Sequence, residues 1–213
     1  PLRWLFEKVA RWASRQVPSE NWRGLSVLAM DGSSLCVPDS EENAAHFGRH
    51  YSGKYATASA YPMLRMVWLI DVHSRLVLAA RFGPYSQGEL TYAYDLMADI
   101  PEKSVVIMDR LYHCSPMLAP LLIGDRHFLV RTKSNAKWRV LRSLGQGDDL
   151  VEVPVTDEAR AANPSLPTHY IARAIKTQTP KNEYVLLTSL TDELRFPVDE
   201  IRSLYRERWE AEL

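Results

Sequence analysis

The sequence predicts a mixed α/β fold, and three observations lead there. "KSVVIMDR" (103–110) is a short, continuous apolar run that ends on an acid, as suits a central strand covered on both faces. "MLRMVWLIDV" (63–72) and "RLVLAARF" (75–82) flank His73-Ser74 and predict a two-stranded hairpin. "QGELTYAYDLMADIP" (87–101) has the helical period, with Leu90, Ala93, Tyr94 and Met97 on one face and Pro101 as the stop. A hairpin, a helix and then a buried strand describe a sheet with helices packed on it.

The remaining elements follow in order. The opening "PLRWLFEKVARWASRQ" puts Leu2, Leu5, Val9 and Trp12 on one helical face without a capping residue, the pattern of a helix met partway. "LSVLAMDGSSLCV" (25–37) reads as a strand running into Asp31-Gly32 and out again. Residues 41–62 are polar and rich in small side chains, which predicts a long loop. "SPMLAPLLIG" (115–124) is a helical turn closed by Gly124, and "HFLVRTK" (127–133) is another strand.

From about residue 134 to residue 190 the pattern changes to short strands, "DLVEVPV", "THYIARAIK" and "EYVLLTSL", without the helical crossovers that parallel pairing needs. This predicts a β-rich insertion. The final stretch, "DELRFPVDEIRSLYRERWEAEL", returns as a helix with Pro197 near its first position and an apolar stripe of Ile201, Leu204 and Trp209. The expected division is 1–24, an N-terminal helical segment; 25–133, the first part of the core; 134–190, the insertion; and 191–213, the returning helix.

Composition narrows the class. The 213 residues are 46% hydrophobic and 24% charged, as in an ordinary globular protein. Lys plus Arg equals Asp plus Glu at 26 each, so the total charge does not indicate a nucleic-acid partner. Charge is local, however: residues 126–142 hold six Lys or Arg and no acid, and residues 45–70 lack acids but carry Arg49, Lys54 and Arg65. Cys36 and Cys114 are too few for a disulfide framework, which makes a reducing cytoplasm the expected location. No apolar run approaches the length of a membrane span.

Three carboxylates stand out: Asp31 at the first strand, Asp109 after the buried strand, and Glu212 on the last helix. If the two strands are neighbours, their ends lie about 4.8 Å apart, close enough for both acids to share a divalent cation. Oxygen ligands suit Mg2+ or Mn2+ over zinc, and a pair of such ions supports in-line attack on a phosphodiester. Asp31 could equally be an Asp-Gly turn residue. Asp109 sits where open α/β sheets place ligands. His46 and His50 are spaced four apart, but Gly48 between them argues for loop residues rather than a metal pair.

Tyr205, Arg208 and Glu212 form "Tyr-x-x-Arg-x-x-x-Glu", with Trp209 beside the Arg. This resembles the signature of bacterial insertion-sequence transposases of the DDE type, in particular the insertion-sequence-four family, and "AMDGSS" and "VIMDRLYHC" resemble the segments that carry the first two acids. The resemblance covers nearly the whole chain. It implies an RNase H-like mixed sheet flanked by helices, with a β-rich insertion before the last catalytic helix. The long interval between Asp109 and Glu212 has room for such an insertion. The catalytic and metal-binding residues would be Asp31, Asp109 and Glu212, with two Mg2+ or Mn2+ ions. The reaction would be phosphodiester hydrolysis and strand transfer at insertion-sequence ends.

The resemblance also implies DNA contacts. Tyr205 and Arg208 would hold the phosphate beside the cleaved bond and a flipped base, on the same helical face as Glu212. Trp209 reads as packing support. Arg131 and Lys133 would contact phosphates, or else form a charged strand edge. Tyr184 stands where some relatives stack a Trp on the extruded base. Arg110 would pair with phosphate or with a neighbouring carboxylate. The implied partners are double-stranded transposon ends and target DNA, with a homodimer in the full-length protein, cytoplasmic and nucleoid-associated when bound to DNA. The family motif continues with a Lys six residues past the Glu, and the sequence stops one residue past Glu212. The expectation is that this chain alone binds Mg2+ or Mn2+ weakly and does not transpose. The alternative is a non-catalytic remnant retaining DNA affinity. A sugar-kinase-like ATPase would need a second Gly-rich phosphate loop, which the sequence lacks.

Overall fold

A computed structural model describes residues 2–17, 20–52, 57–179 and 182–208. Its centre is β1 (Ser26–Cys36), whose residues Val27, Leu28, Ala29 and Met30 have no exposed surface. Strand side chains alternate between faces. Leu28 and Met30 therefore join a cluster on one face and Val27 and Ala29 a cluster on the other.

One neighbour of β1 is antiparallel β3 (Thr57–Asp71), which pairs in turn with β4 (Val77–Pro84). The other is parallel β5 (Ser104–Met108), which pairs with parallel β6 (Arg126–Arg131). The order β4-β3-β1-β5-β6, three antiparallel strands followed by two parallel ones, is an RNase H-like mixed sheet. Helix α3 (Glu89–Leu96) crosses over between β4 and β5 and covers the first face with Tyr92, Ala93 and Leu96. The short α4 (Ser115–Leu118) joins β5 to β6 on the same face.

The β-rich stretch extends this sheet. Beyond β6 come β10 (Glu183–Thr188), β9 (His169–Gln178), β8 (Asp148–Pro154) and β7 (Arg139–Gly145), all antiparallel. Among the described residues, ten strands form one sheet. Helix α6 (Val198–Arg206) closes the second face with Ile201, Leu204 and Tyr205.

Several local expectations need correction. Within 41–62, the described residues 41–52 and 57–62 are not a loop: they form α2 (Glu41–Phe47), β2 (Arg49–Ser52) and the start of β3. The signal was present in Ser40, whose side chain accepts from Asn43 N at 3.2 Å, and in Glu41 and Glu42 at the positive end of the helix. His46 accordingly lies on a helix and His50 on a strand. The hairpin turn is wider than His73-Ser74: Asp71 Oδ1 accepts from Ser74 N at 2.7 Å, and Arg75 takes a φ of 59°. Pro197, expected near the first helical position, is the N-cap of α6. Strand β7 and helix α5 (Asp157–Ala162) were not anticipated. In α1 (Leu2–Gln16), Leu5, Val9 and Trp12 are exposed and Ala10 is buried.

One buried ion pair ties the extension to α6. Arg173 on β9, 1% exposed, donates to Asp148 Oδ1 at 2.6 Å through Nε and to the Phe196 carbonyl at 2.6 Å through Nη1. Phe196 directly precedes the α6 cap, so this guanidinium locates the start of the helix. Arg173→Ala strands a buried carboxylate, and the expected loss is about 3–5 kcal/mol of folding stability, measured by urea denaturation.

Candidate active site

The parallel ladder between β1 and β5 ends at Met30 opposite Met108. Asp31 and Asp109 are therefore the next residues out on adjacent strands, side by side at about the 4.8 Å strand spacing. Asp31 is not in a turn; it lies within β1, opposite Trp68 of β3. Asp109 stays extended (φ −79°, ψ 179°), and one of its carboxylate oxygens accepts from Leu111 N at 2.7 Å, capping the turn 110–112. Alternation along both strands continues from Ala29 and Ile107, which pack with α6, so both acids fall on the α6 face.

The same level of the sheet continues into β6. Met108 pairs with Val130, which makes Arg131 the next residue in that row. Arg131 pairs with Leu186 of β10, and its guanidinium lies 4.8 Å from the Tyr184 ring centroid. Tyr184 in turn packs against Tyr205 of α6, with centroids 6.1 Å apart. Tyr205 is 4% exposed. Burial pushes its hydroxyl up to about 12, helped by the charge of Asp109 and opposed by Arg208, to which it is hydrogen bonded. Arg208, 6% exposed, lies just past the end of α6 in a tighter helical turn.

These side chains line a groove of about 1020 Å³. Asp109, Arg110, Arg131, Tyr184, Tyr205 and Arg208 all border it. Lys133 lies in an adjoining hollow of about 360 Å³ shared with Arg110, Arg131 and Tyr184. Two arginines that the motif reading missed, Arg202 and Arg206, extend the groove along α6; their four-residue spacing on one helical face was the available signal. The far wall is the end of β9 and the start of the loop that follows, including Gln178 and Thr179. A groove with five arginines and two neighbouring tyrosines suits an anionic strand carrying planar bases.

The third acid, Glu212, and its neighbour Trp209 lie outside the described residues. Tyr205, in the last turn of α6, and Arg208, just past it, border the same groove as Asp109. Just before Arg208, Glu207 Oε2 meets His73 Nε2 at 3.1 Å, which ties this end of the helix to the β3–β4 hairpin. Burial lowers the His73 pKa, but the Glu20 carbonyl and the Glu207 carboxylate outweigh it and raise the net value.

The sequence matches the family described as "Transposase DDE domain" over residues 22–213, and the chain belongs to that family. It is a transposase DDE domain. Two Escherichia coli (strain K12) proteins are similar to it at 34% identity. The transposase InsG of insertion sequence element IS4 aligns over 215 residues, 100% of this chain and 48% of InsG. InsZ aligns over 141 residues, 63% of this chain and 46% of InsZ. The chain thus spans about half the length of these curated relatives. Among solved structures, a piggyBac transposase synaptic complex with hairpin DNA is similar with a TM-score of 0.48 at 11% identity, covering 88% of this chain and 39% of that one. Among the described residues, no helix is long and apolar enough to cross a membrane.

His113, four residues after Asp109, gives the site a pH signature. Burial, and secondarily the charge of Lys133, pull its pKa down from 6.5 to about 4. A depressed value means that the folded state disfavours the proton, so this contribution is complete above about pH 6.5 and is lost as pH falls toward about 4. Thermal denaturation across that window is expected to show a smaller loss of stability for His113→Gln than for the native chain.

Proposed function

We propose that the chain forms the catalytic part of a protein that performs phosphodiester hydrolysis and strand transfer at insertion-sequence ends, with the DNA end lying in the arginine-lined groove. The observation that carries this reading is the register match that puts Asp31 on the strand next to that of Asp109, an acid that borders the groove.

Membership of the DDE family implies use of divalent cations. The donor set fits: two carboxylates leave adjacent strands on one face, and hard oxygen ligands suit Mg2+ or Mn2+. Asp31 and Asp109 would hold the ions together with Glu212. Among the described residues alone, no group of three or more His, Cys, Asp or Glu side chains gathers at metal-binding distance. When bound, such ions supply an activated oxygen nucleophile and neutralise charge developing at phosphorus.

The chain's own residues do the positioning. The Leu111 amide holds one oxygen of Asp109, fixing the carboxylate's rotation. Arg131, Lys133 and Arg110 offer charge along one side of the groove and bind the backbone without reading sequence. Arg208 donates beside Tyr205 at the end of the groove nearest Asp109, which suits the phosphate next to the cleaved bond. Tyr184, held between Arg131 and Tyr205, offers a ring to a base taken out of the duplex.

The test extends the chain through the Lys that the family motif places six residues past Glu212, supplies a nicked or pre-cut DNA end with Mn2+, and compares this native protein with its Asp31→Ala and Asp109→Ala variants. Product from the native protein and none from either variant is the expected result. Equal product from all three removes the two acids from the chemistry, and absence of product from every protein leaves a DNA-binding remnant as the better reading. Binding makes a separate prediction: Arg131→Ala lowers the slope of log affinity against log salt by about 0.9 on duplex DNA. Tyr184→Ala is expected to cost about 1–3 kcal/mol of affinity for an end with an unpaired base, measured by fluorescence anisotropy.

A further inference from the structure

Gly32 directly follows Asp31, and a turn is not the reason for it, because β1 runs straight through this position. A Cβ built on Gly32 would lie 2.3 Å from the Glu89 carboxyl carbon and 2.5 Å from its Oε1, so no larger residue fits while Glu89 keeps its place. Glu89 is the first residue of α3, and Oε1 accepts a hydrogen bond of 2.6 Å from the Tyr112 hydroxyl. Tyr112 belongs to the turn that Asp109 caps, and it has no exposed surface. One carboxylate therefore touches the strand segment of the first acid and the turn segment of the second.

This contact lies on the opposite face of the sheet from the two acids. Gly32 continues the alternation of Leu28 and Met30, which pack with α3, whereas Asp31 and Asp109 continue the α6 face. Burial, and secondarily the charges of Glu89, Asp31 and Asp109, raise the pKa of the Tyr112 hydroxyl.

We propose that Glu89 and Tyr112 are positioning residues that brace Gly32 and the 110–112 turn from behind, setting the separation at which Asp31 and Asp109 meet a divalent cation. The hydrogen bond joins the two acid-bearing segments past the point where their backbone ladder has ended at Met30 and Met108. Beyond that point no β1–β5 pairing holds them in step. This inference rests on the proposed metal-binding role of the two acids.

The experiment is a Mn2+ titration followed by electron paramagnetic resonance, with the native chain, Asp109→Ala, Tyr112→Phe and Glu89→Gln. Tyr112→Phe removes one hydroxyl and no charge. The expected result is a loss of Mn2+ affinity of about tenfold for Tyr112→Phe, in the range typical of groups that orient metal ligands, with the metal-free melting temperature little changed. Glu89→Gln keeps an accepting oxygen and is expected to lose less than Tyr112→Phe, a rescue that simple packing damage would not produce. Native affinity in Tyr112→Phe overturns the proposal, as does a greater loss in Glu89→Gln, which would assign the effect to charge. If Tyr112→Phe does not fold, Glu89→Ala and Glu89→Gln decide: equal losses overturn the bracing role, and a loss confined to Ala supports it. Equal binding by the native chain and Asp109→Ala would instead refute the underlying metal-site reading.

Discussion

The parallel ladder of β1 on β5 is the constraint on which the site depends. Its register places Met30 opposite Met108, and because side chains alternate, a slip of one residue would send one acid to the α3 face while leaving the other on the α6 face. What resists the slip is burial. Leu28, Met30, Val106 and Met108 fill one side of the two strands and Val27, Ala29, Val105 and Ile107 the other, all without exposed surface. Burying side chains of this kind contributes roughly 1.5–3 kcal/mol each for the larger ones, so an altered register would forfeit several such terms at once. The placement of the two acids is in this sense a by-product of core packing.

The second organising feature is the extension of the sheet beyond β6. A sheet ending at β6 would leave an open edge beside Arg131. Instead β10 pairs there, carries Tyr184 next to Arg131, and supplies one wall of the groove. The buried Arg173 of β9 then reaches the backbone just ahead of α6. The β-rich stretch thus both builds the groove and locates the helix that lies over it. This explains why a buried guanidinium, costly to desolvate, occurs so far from the acids: its three hydrogen-bonding directions join β8, β9 and the start of α6.

Legibility differed between the core and its surroundings. The buried run at 104–108, the 63–82 hairpin and the 89–96 helix were readable because each carries an unambiguous period or a continuous apolar run. Residues 41–62 were misread as a loop because small polar side chains outweighed the Ser40 cap and the acidic first turn that followed it. Strand β7 was hidden by its charge: Arg139 and Arg142 were visible as a basic patch, while the strand they lie on is almost wholly exposed and shows no apolar alternation. Gly32 was readable only as turn chemistry, since the carboxylate that excludes a side chain there comes from residue 89.

The sequence by itself determined the element types of the core and the family signature at Tyr205, Arg208 and Glu212, because periodicity and motif spacing are local properties of the chain. Only the tertiary structure decided that Asp31 and Asp109 stand in matched register, that Arg131, Tyr184 and Tyr205 pack in one row along the groove, and that Glu89 lies against Gly32. Those relations join residues tens of positions apart. They follow from which strands pair and which faces are buried, a balance of packing terms summed over the whole sheet that no window of sequence contains.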